Sequence, residues 1–370
     1  MRFAAIATLL LSLTLPAAAD VTTPYPKAGM RVDGTICVDA ATGLVLSEEK
    51  ADFPGHPASV TKLMTTLLVL EDIRANKLTM RSRVTVTKAA ADIGGSQVWL
   101  APGESFTVEE MIYALLLKSA NDVAVALAID RAGSVPAFVA RMNRRAAELG
   151  MTRTTFVTPN GLTYGKGPHD TTTARDLAKL SVTLCRLPEV LKYTSTKQYI
   201  FRRPGKPLEL LNHNYLLSSF PDCDGLKTGW TVAAHASIVT TAKDKDVRVI
   251  AIVLGCQSPA GAKPEQRLRD SLAADLMTQG LAKLKKLEAE KALRLARTPA
   301  PAPARKPPVK AKKDEGFWDW LVDLFSFSPP PKGGYKEVVN ICSFCLQGSP
   351  PSAPSLTHTQ RYVRQIRTHR

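Results

Sequence analysis

The stretch that decides the fold is Pro57-Ala58-Ser59-Val60-Thr61-Lys62-Leu63-Met64-Thr65-Thr66-Leu67-Leu68-Val69-Leu70. It predicts a helix over residues 59–73 that is apolar on most sides, and such a helix is buried. Ser59 and Lys62 are three positions apart, so their side chains share one helix face. A serine nucleophile needs a base, and a lysine can be that base where burial favours its neutral amine. Taken alone, the pair is more simply an N-cap serine and a solvated lysine.

Two further strings supply matching chemistry. Ser119-Ala120-Asn121 follows an apolar helix, where the Ser119 hydroxyl could relay a proton and the Asn121 amide could bind a peptide group or cap the next helix. Lys227-Thr228-Gly229 precedes two strands. On an edge strand its cation and hydroxyl could hold a carboxylate, while the glycine allows close backbone approach. The simpler interpretations are a polar helix break and an exposed turn.

The order of predicted elements gives the fold class. A hairpin over residues 34–47 is followed by helices that begin near residues 107, 121, 134 and 173, and then by strands over 196–202, 231–241 and 247–254. A last helix runs from about Pro264 to Ala289. Alternating apolar residues on both faces of 247–254 indicate a strand covered on both sides. We therefore expect an α/β domain, with an antiparallel sheet flanked by helices and an all-helical insertion.

Both ends of the chain have their own composition. Residues 1–19 have a basic start, an apolar run and Ala17-Ala18-Ala19, which predicts a secretory signal peptide. We expect the folded domain at 20–289, a Pro/Ala/Lys-rich linker at 290–315, an amphipathic aromatic helix at 316–328 and a disordered tail at 329–370. The aromatic helix is too short to span a bilayer and suits a membrane interface; docking on the domain or a partner is the alternative.

Charge and cysteine content limit the partners. Of the net charge of +16, residues 291–313 supply eight Lys/Arg and no acid, which favours an anionic membrane surface or an acidic polymer. Nucleic acid is a poor partner for an exported chain. Cys342-Ser343-Phe344-Cys345 has metal or redox spacing but no second pair, so the sequence predicts no metal and no cofactor. Pairing among the other four cysteines stays open.

The ordered strings resemble those of the D-alanyl-D-alanine carboxypeptidases, which are low-molecular-mass penicillin-binding proteins and serine peptidases. The resemblance covers about residues 30–285 and implies a β-lactamase/DD-peptidase-like domain. It also includes Asp39-Ala40-Ala41-Thr42-Gly43, Gly95-Ser96, Pro102-Gly103, Pro159-Asn160-Gly161-Leu162, Thr173-Ala174-Arg175-Asp176, Asn212-His213-Asn214 and Asp224-Gly225-Leu226.

The resemblance implies an acyl-enzyme mechanism on peptidoglycan stem peptides. Ser59 would attack the carbonyl between the terminal D-alanines with Lys62 as its base, and β-lactams would acylate the same serine. The other roles implied are a proton shuttle to the leaving D-alanine by Ser119 with Lys227, peptide binding by Asn121, carboxylate binding by Thr228, and an oxyanion hole from the N–H groups of Ser59 and Trp230. The implied location is periplasmic, on the outer face of the inner membrane.

The chain departs from the family pattern in three places. Trp230 follows Lys227-Thr228-Gly229 where the family often has histidine, which leaves the oxyanion role of its backbone intact. The basic residue that binds carboxylate after the last strand could be Lys263 or Arg267. The chain passes from Ala289 straight into the linker, so we expect no second β-rich domain.

Three rival functions stay in view. A D,D-endopeptidase that cleaves cross-links also fits the strings, although Asp224-Gly225-Leu226 and the candidate anchor favour a carboxypeptidase. A β-lactamase needs a glutamate that positions the deacylating water, and Glu209-Leu210-Leu211-Asn212 lacks the spacing. A catalytically idle wall-binding scaffold is disfavoured because the set of strings is complete.

Overall fold

A five-stranded antiparallel sheet forms the centre of the computed structural model, which describes residues 30–163, 167–203 and 205–297. Its strands are β1 (Gly34–Asp39), β2 (Val45–Glu49), β7 (Cys223–Thr231), β8 (His235–Asp244) and β9 (Val247–Cys256). They lie in the order β2-β1-β9-β8-β7, so β7 is an edge strand. Two small sheets pair β3 (Arg83–Thr85) with β4 (Ser105–Thr107) and β5 (Gln198–Phe201) with β6 (Leu208–Leu211).

Nine α-helices are described, and most of them lie in the insertion between β2 and β7. α1 (Lys62–Arg74) is preceded by a 3₁₀ turn, Ala58–Thr61, and is buried along ten of its positions. This matches the buried helix predicted from its sequence. The others are α2 (Lys88–Ala91), α3 (Val108–Leu116), α4 (Asn121–Ala132), α5 (Val135–Glu148), α6 (Ala174–Cys185), α7 (Pro188–Thr194), α8 (Leu216–Ser219) and α9 (Ala262–Arg297).

Strand β9 explains why the sheet is covered on both faces. Ile250, Ile252 and Leu254 join the larger core, which contains α1 and the helical insertion. Val249 and Val253 point the other way, into a second core formed with α9. Successive side chains of a strand alternate between faces, so a strand that is apolar at every position from Val249 to Leu254 separates two cores. The predicted antiparallel sheet with a helical insertion is confirmed.

The helix boundaries follow the predicted caps. Thr107 forms a capping box with Glu110 at the start of α3, and Ser134 and Thr173 cap α5 and α6. α4 ends at Gly133, which adopts φ 78°. Glycine takes this left-handed conformation without the clash that a Cβ would cause.

The predicted end of the last helix is wrong. α9 continues through Arg297, eight residues past Ala289 and into the segment expected to be linker. Residues 290–297 contain only Glu, Lys, Ala, Leu and Arg, all strong helix formers, and the first proline is Pro299. The strand predicted over 231–241 begins only at His235, and Lys227-Thr228-Gly229 lies within β7 rather than before the strands. The elements not predicted from the sequence are α2, β3, β4, α7, β6 and α8.

Several predictions concern residues outside the described ranges. These are the signal peptide at 1–19, the rest of the linker, the aromatic helix at 316–328 and the tail at 329–370. Within the described residues no single helix is long and apolar enough to cross a bilayer. The pair α4 and α5 passes the same test only together, and it is bent by 85°.

The four cysteines in the described ranges are free thiols. Cys37, Cys223 and Cys256 are buried and Cys185 is partly buried. Burial raises the pKa of the Cys37, Cys185 and Cys256 thiols to about 12. They are therefore small apolar core residues rather than nucleophiles.

Candidate active site

Ser59 and Lys62 meet at the junction between the 3₁₀ turn and α1. Ser59 lies in the turn rather than in the α-helix predicted for it, and Lys62 is the first residue of α1. A 3₁₀ turn has three residues per turn, so side chains three positions apart lie in line. Lys62 Nζ is 3.0 Å from Ser59 Oγ. The amine and the hydroxyl are within hydrogen-bond distance.

The surroundings of Lys62 favour a neutral amine. Its side chain is fully buried, and Nζ donates to Asn121 Oδ1 and to the Asn160 carbonyl, both at 2.7 Å. Burial, reinforced by repulsion from Lys227, holds the Lys62 pKa well below its ordinary value. A neutral amine has two hydrogens and one lone pair. Because the two amide oxygens can only accept, a neutral amine can give both hydrogens to them and turn its lone pair to the Ser59 hydroxyl.

Asn121 holds this amine in place. It is the first residue of α4, whose N-cap is Ala120 with no side-chain cap, so the sequence-based suggestion that Asn121 caps the helix is wrong. Its Oδ1 accepts from Lys62, and its Nδ2 donates to the Gly94 carbonyl at 2.8 Å. The second Nδ2 hydrogen stays available to a ligand.

The buried hydroxyl of Ser119 makes no hydrogen bond within the described part of the protein. Ser119 adopts φ 61°, is 3% exposed and borders the cavity described below. A buried hydroxyl without a partner costs about 1–3 kcal/mol, and strained residues of this kind concentrate at functional sites.

The edge strand β7 brings the third string to Ser59. A Cβ on Gly229 would lie 2.6 Å from the Pro57 carbonyl oxygen and 3.1 Å from Ser59 N. Only glycine therefore lets the strand pack against the 3₁₀ turn. This contact places Gly229, the residue before Trp230, against the Ser59 N–H, which is the side of the strand where an oxyanion hole would form.

The side chain of Lys227 is buried and does not form part of the cavity wall. It is 2% exposed, and its Nζ donates to the Thr228 carbonyl at 2.9 Å. Burial, together with the nearby Arg269, lowers its pKa to about 7. Lys227 can therefore gain or lose a proton near neutral pH.

A cavity of about 320 Å³ opens over these groups. Its walls come from all three predicted strings, from Ser96, from the segment that carries His213 and Tyr215, from Trp230, and from α9. The lining residues are Ser59, Ser96, Ser119, His213, Tyr215, Thr228, Gly229, Trp230, Gln266 and Arg269.

The basic residue contributed by the last helix is Arg269, so the expectation of Lys263 or Arg267 is wrong. Both of those side chains are exposed, whereas Arg269 is 3% exposed and reaches the cavity. Buried Leu268, Leu272 and Leu276 show which face of α9 turns inward. Arg269 lies beside Leu268 on that face, a signal the helical period could have given.

Asn160, His213 and Tyr215 were also missed as individual site residues. Asn160 contributes only its backbone carbonyl, which no sequence pattern identifies. His213 borders the cavity, and burial, with repulsion from Lys227, lowers its pKa to about 4. Tyr215 is 68% exposed at the cavity mouth. Asn160 and His213 had no sequence signal beyond their places in family strings, and Tyr215 follows directly after one.

A buried aspartate fixes the loops behind the site. Asp170 accepts from Thr61 Oγ1 at 2.7 Å and from the Val157 and Thr158 N–H groups. Gly161 (φ 81°) packs so tightly on the turn that a Cβ would lie 1.7 Å from the Ala58 carbonyl oxygen. The Asn160 carbonyl is thereby held at Lys62. The described residues contain no cluster of His, Cys, Asp and Glu that could hold a metal ion.

Comparison with known proteins gives the family. A family model described as D-alanyl-D-alanine carboxypeptidase matches residues 20–258. The chain is 37% identical over 225 residues to carboxypeptidase DacF of Bacillus subtilis (60% of this chain, 57% of that protein). It is 36% identical over 271 residues to DacC of Escherichia coli (71% of this chain, 64% of that protein). The chain thus spans about three fifths of the length of these relatives.

Solved structures give the same result. Carboxypeptidase DacD from Francisella tularensis superposes with a TM-score of 0.62 at 27% identity (68% of this chain, 70% of that one). Ampicillin-bound penicillin-binding protein D2 from Listeria monocytogenes gives 0.60 at 30% identity (70% and 100%). The predicted fold and resemblance are both confirmed, and the chain belongs to the D-alanyl-D-alanine carboxypeptidase family of serine peptidases.

Proposed function

We propose that this protein is a serine-type D-alanyl-D-alanine carboxypeptidase that removes the terminal D-alanine from peptidoglycan stem pentapeptides. One observation carries the proposal. The buried Lys62 amine lies 3.0 Å from Ser59 Oγ and 2.7 Å from the oxygens of Asn121 and Asn160. In its neutral form it can give its two hydrogens to those two oxygens and turn its lone pair to the Ser59 hydroxyl. This is the arrangement of a base beside its nucleophile.

Acylation follows from this geometry. Lys62 takes the Ser59 hydroxyl proton as Oγ bonds to the carbonyl carbon between the two D-alanines. The oxyanion accepts from the N–H groups of Ser59 and Trp230. As the intermediate collapses, the carbon–nitrogen bond breaks, and the proton that Lys62 took from Ser59 passes to the departing amine through the Ser119 hydroxyl, with Lys227 assisting the transfer. Loss of one oxyanion donor typically costs about 10²–10³ in rate.

Deacylation and substrate recognition use the same cavity. Water attacks the acyl-enzyme ester, Oγ regains its proton, and the shortened peptide leaves. The Thr228 hydroxyl and the Arg269 guanidinium suit the terminal carboxylate, since both border the cavity beside the attack position. Asn121 offers its remaining Nδ2 hydrogen to the peptide. β-Lactams, which carry a comparable carboxylate and a strained carbonyl, would acylate Ser59 in the same way.

The first test asks whether Ser59 is the nucleophile. Purified protein should form a covalent adduct with a fluorescent penicillin, and mass spectrometry should place the adduct on Ser59. Ser59→Ala should abolish the adduct while leaving the circular dichroism spectrum unchanged. An adduct of equal yield in Ser59→Ala would refute the mechanism.

A second candidate function is cleavage of peptide cross-links. It is favoured by the similarity to a D-alanyl-D-alanine endopeptidase of Pseudomonas aeruginosa, which is 31% identical over 251 residues and is covered over 78% of its length. Incubation with a monomeric pentapeptide and with a cross-linked dimer separates the two. Release of D-alanine without dimer cleavage supports the carboxypeptidase, and the reverse supports the endopeptidase.

The location proposed is the periplasm, on the outer face of the inner membrane. It rests on the signal-peptide composition of residues 1–19 and on the basic and aromatic composition of residues 291–328. A chain lacking residues 314–331 should move from the membrane fraction to the soluble fraction and keep its penicillin adduct. Unchanged membrane association would exclude residues 316–328 as the anchor.

A further inference from the structure

A hydrogen-bonded trio lies at the outer wall of the cavity. Glu265, in the first turn of α9, is 5% exposed. Its Oε2 accepts from the Trp230 indole Nε1 at 2.9 Å, and its Oε1 lies 2.9 Å from His235 Nδ1. Trp230 and His235 stand on the two sides of the β7–β8 turn. One carboxylate therefore ties the tip of the edge hairpin to α9.

Two properties of this trio, a strained backbone and a buried charged carboxylate, are not needed for packing alone. His235 adopts φ 53°, a conformation that costs a non-glycine residue roughly 1–2 kcal/mol. Although burial opposes it, the hydrogen bonds from Trp230 and His235 hold the Glu265 pKa below its ordinary value. The carboxylate is thus bonded in its charged form, and hydrogen bonds to a charged group are the stronger kind.

The trio also connects two groups that the substrate must meet together. Trp230 follows Gly229, whose backbone lies against Ser59 N, so its N–H belongs to the proposed oxyanion hole. Arg269 lies four residues after Glu265 on α9, one helical turn along the same face, and both Trp230 and Arg269 line the cavity. The distance between oxyanion site and carboxylate site depends on how the hairpin tip is held to α9.

We propose that Glu265 is a positioning residue for peptides that end in a free carboxylate. Glu265 fixes the Trp230 indole and thereby the Trp230 backbone N–H. This keeps the backbone N–H and the Arg269 guanidinium as far apart as the scissile carbonyl and the terminal carboxylate of the peptide. The identity of the substrate in this inference rests on the proposed function. The link between the hairpin and α9 rests on the structure alone.

The link is tested without any substrate. In a ¹H–¹⁵N spectrum, the indole Nε1–H signal of Trp230 is identified by its loss in Trp230→Phe. Its exchange with solvent should be slow in the wild type and at least tenfold faster in Glu265→Ala. Glu265→Gln should stay slow, because the amide oxygen still accepts from the indole. Unchanged exchange in Glu265→Ala would overturn the link, whether or not the protein releases D-alanine.

The positioning role is tested by peptide kinetics. The concentration of active enzyme is determined by titration with saturating penicillin, so that misfolded protein is excluded from the calculated rates. Glu265→Ala should raise KM for the pentapeptide about tenfold, the size expected from losing a hydrogen bond to a charged group. Glu265→Gln should stay within about threefold of wild type. Glu290→Ala, at an exposed position of α9, is the control and should change nothing.

A double-mutant cycle makes the assignment specific. If Glu265 acts through the indole, Trp230→Phe and Glu265→Ala should not add, and the double variant should match the worse single variant within about twofold. Fully multiplicative effects, or an unchanged KM in Glu265→Ala, would overturn the positioning role. A wild-type protein that releases no D-alanine would refute the proposed function, while the exchange measurement still decides the link.

Discussion

The inner and outer parts of the site are stabilised in opposite ways. The inner part, Ser59, Lys62, Ser119, Asn121 and Asn160, surrounds a buried amine with uncharged oxygens. The outer part, Trp230, His235, Glu265, Arg269 and Asp270, is held by carboxylates: Glu265 bonds Trp230 and His235, and Asp270 pairs with Arg269 at 2.7 Å. Burial lowers the pKa of the Lys62 amine, as the proposed base requires. Recognition of an anion requires a permanent cation, which an arginine side chain supplies.

The largest expected effect lies in the inner part. Lys62→Ala should lower the rate of acylation by penicillin by about 10³-fold or more, in line with loss of a general base. Lys62→Arg is the matched variant, since it keeps a cation but cannot supply a lone pair. Stopped-flow acylation kinetics measure both. An active Lys62→Arg would show that the inner part works through charge, as the outer part does.

Next in size is the packing that holds the Asn160 carbonyl at Lys62. Gly161→Ala should destabilise the fold by about 3 kcal/mol and slow acylation, because its Cβ would overlap the Ala58 carbonyl oxygen. Gly103→Ala is the matched control: its φ is 85°, yet no atom lies within 4 Å of the added Cβ. If urea unfolding shows the same loss of stability for Gly161→Ala and Gly103→Ala, then backbone strain alone, and not the contact with the turn, determines the effect at Gly161.

A third prediction concerns Lys227, which stands between the two parts. Its pKa is about 7 in the folded protein and near 10.5 in the unfolded chain. Between these values the unfolded chain binds the proton and the folded protein does not, so folding stability rises with pH from about 7 towards 10.5. At pH 6 the full cost of burying the charge is present. Lys227→Met removes that cost.

Lys227→Met should therefore stabilise the protein more at pH 6 than at pH 9, by about 2–3 kcal/mol. Chemical unfolding at the two pH values measures the difference. Lys263→Met, at an exposed position, should show the same stability change at both. A gain for Lys227→Met that does not depend on pH would mean that Lys227 does not titrate in this range.

The smallest effect is expected at the outer cation. Arg269→Lys keeps a charge but loses the planar fork that matches a carboxylate. KM for the pentapeptide should rise about tenfold, equivalent to about 1.4 kcal/mol, with little change in kcat. Arg267→Lys, on the exposed side of α9, should leave KM unchanged. A loss confined to kcat would place Arg269 in the chemistry of the inner part.

The sequence predicted the residues of the inner part better than those of the outer part. The inner side chains were predicted because each lies in a short string whose spacing is local: Ser59 and Lys62 are three residues apart and share a face in either a 3₁₀ turn or an α-helix. The outer part depends on where α9 packs. Lys263 and Arg267 were predicted from the sequence, and Arg269 was not. The helical period places Arg269 beside Leu268 on the apolar face of α9, and the packing of that face against the sheet brings Arg269 to the cavity.

The sequence by itself determined the α/β domain with its helical insertion, the two-sided strand β9, the caps of α3, α5 and α6, and the choice of Ser59 and Lys62 as candidate nucleophile and base. These properties follow from periodicity and from residue type, which are local. Tertiary structure alone decided that burial lowers the pKa of the Lys62 amine, that Asn121 holds this amine instead of capping a helix, and that Arg269 is the cation at the cavity. Each of these depends on contacts between residues far apart in the chain, and on the burial that those contacts create.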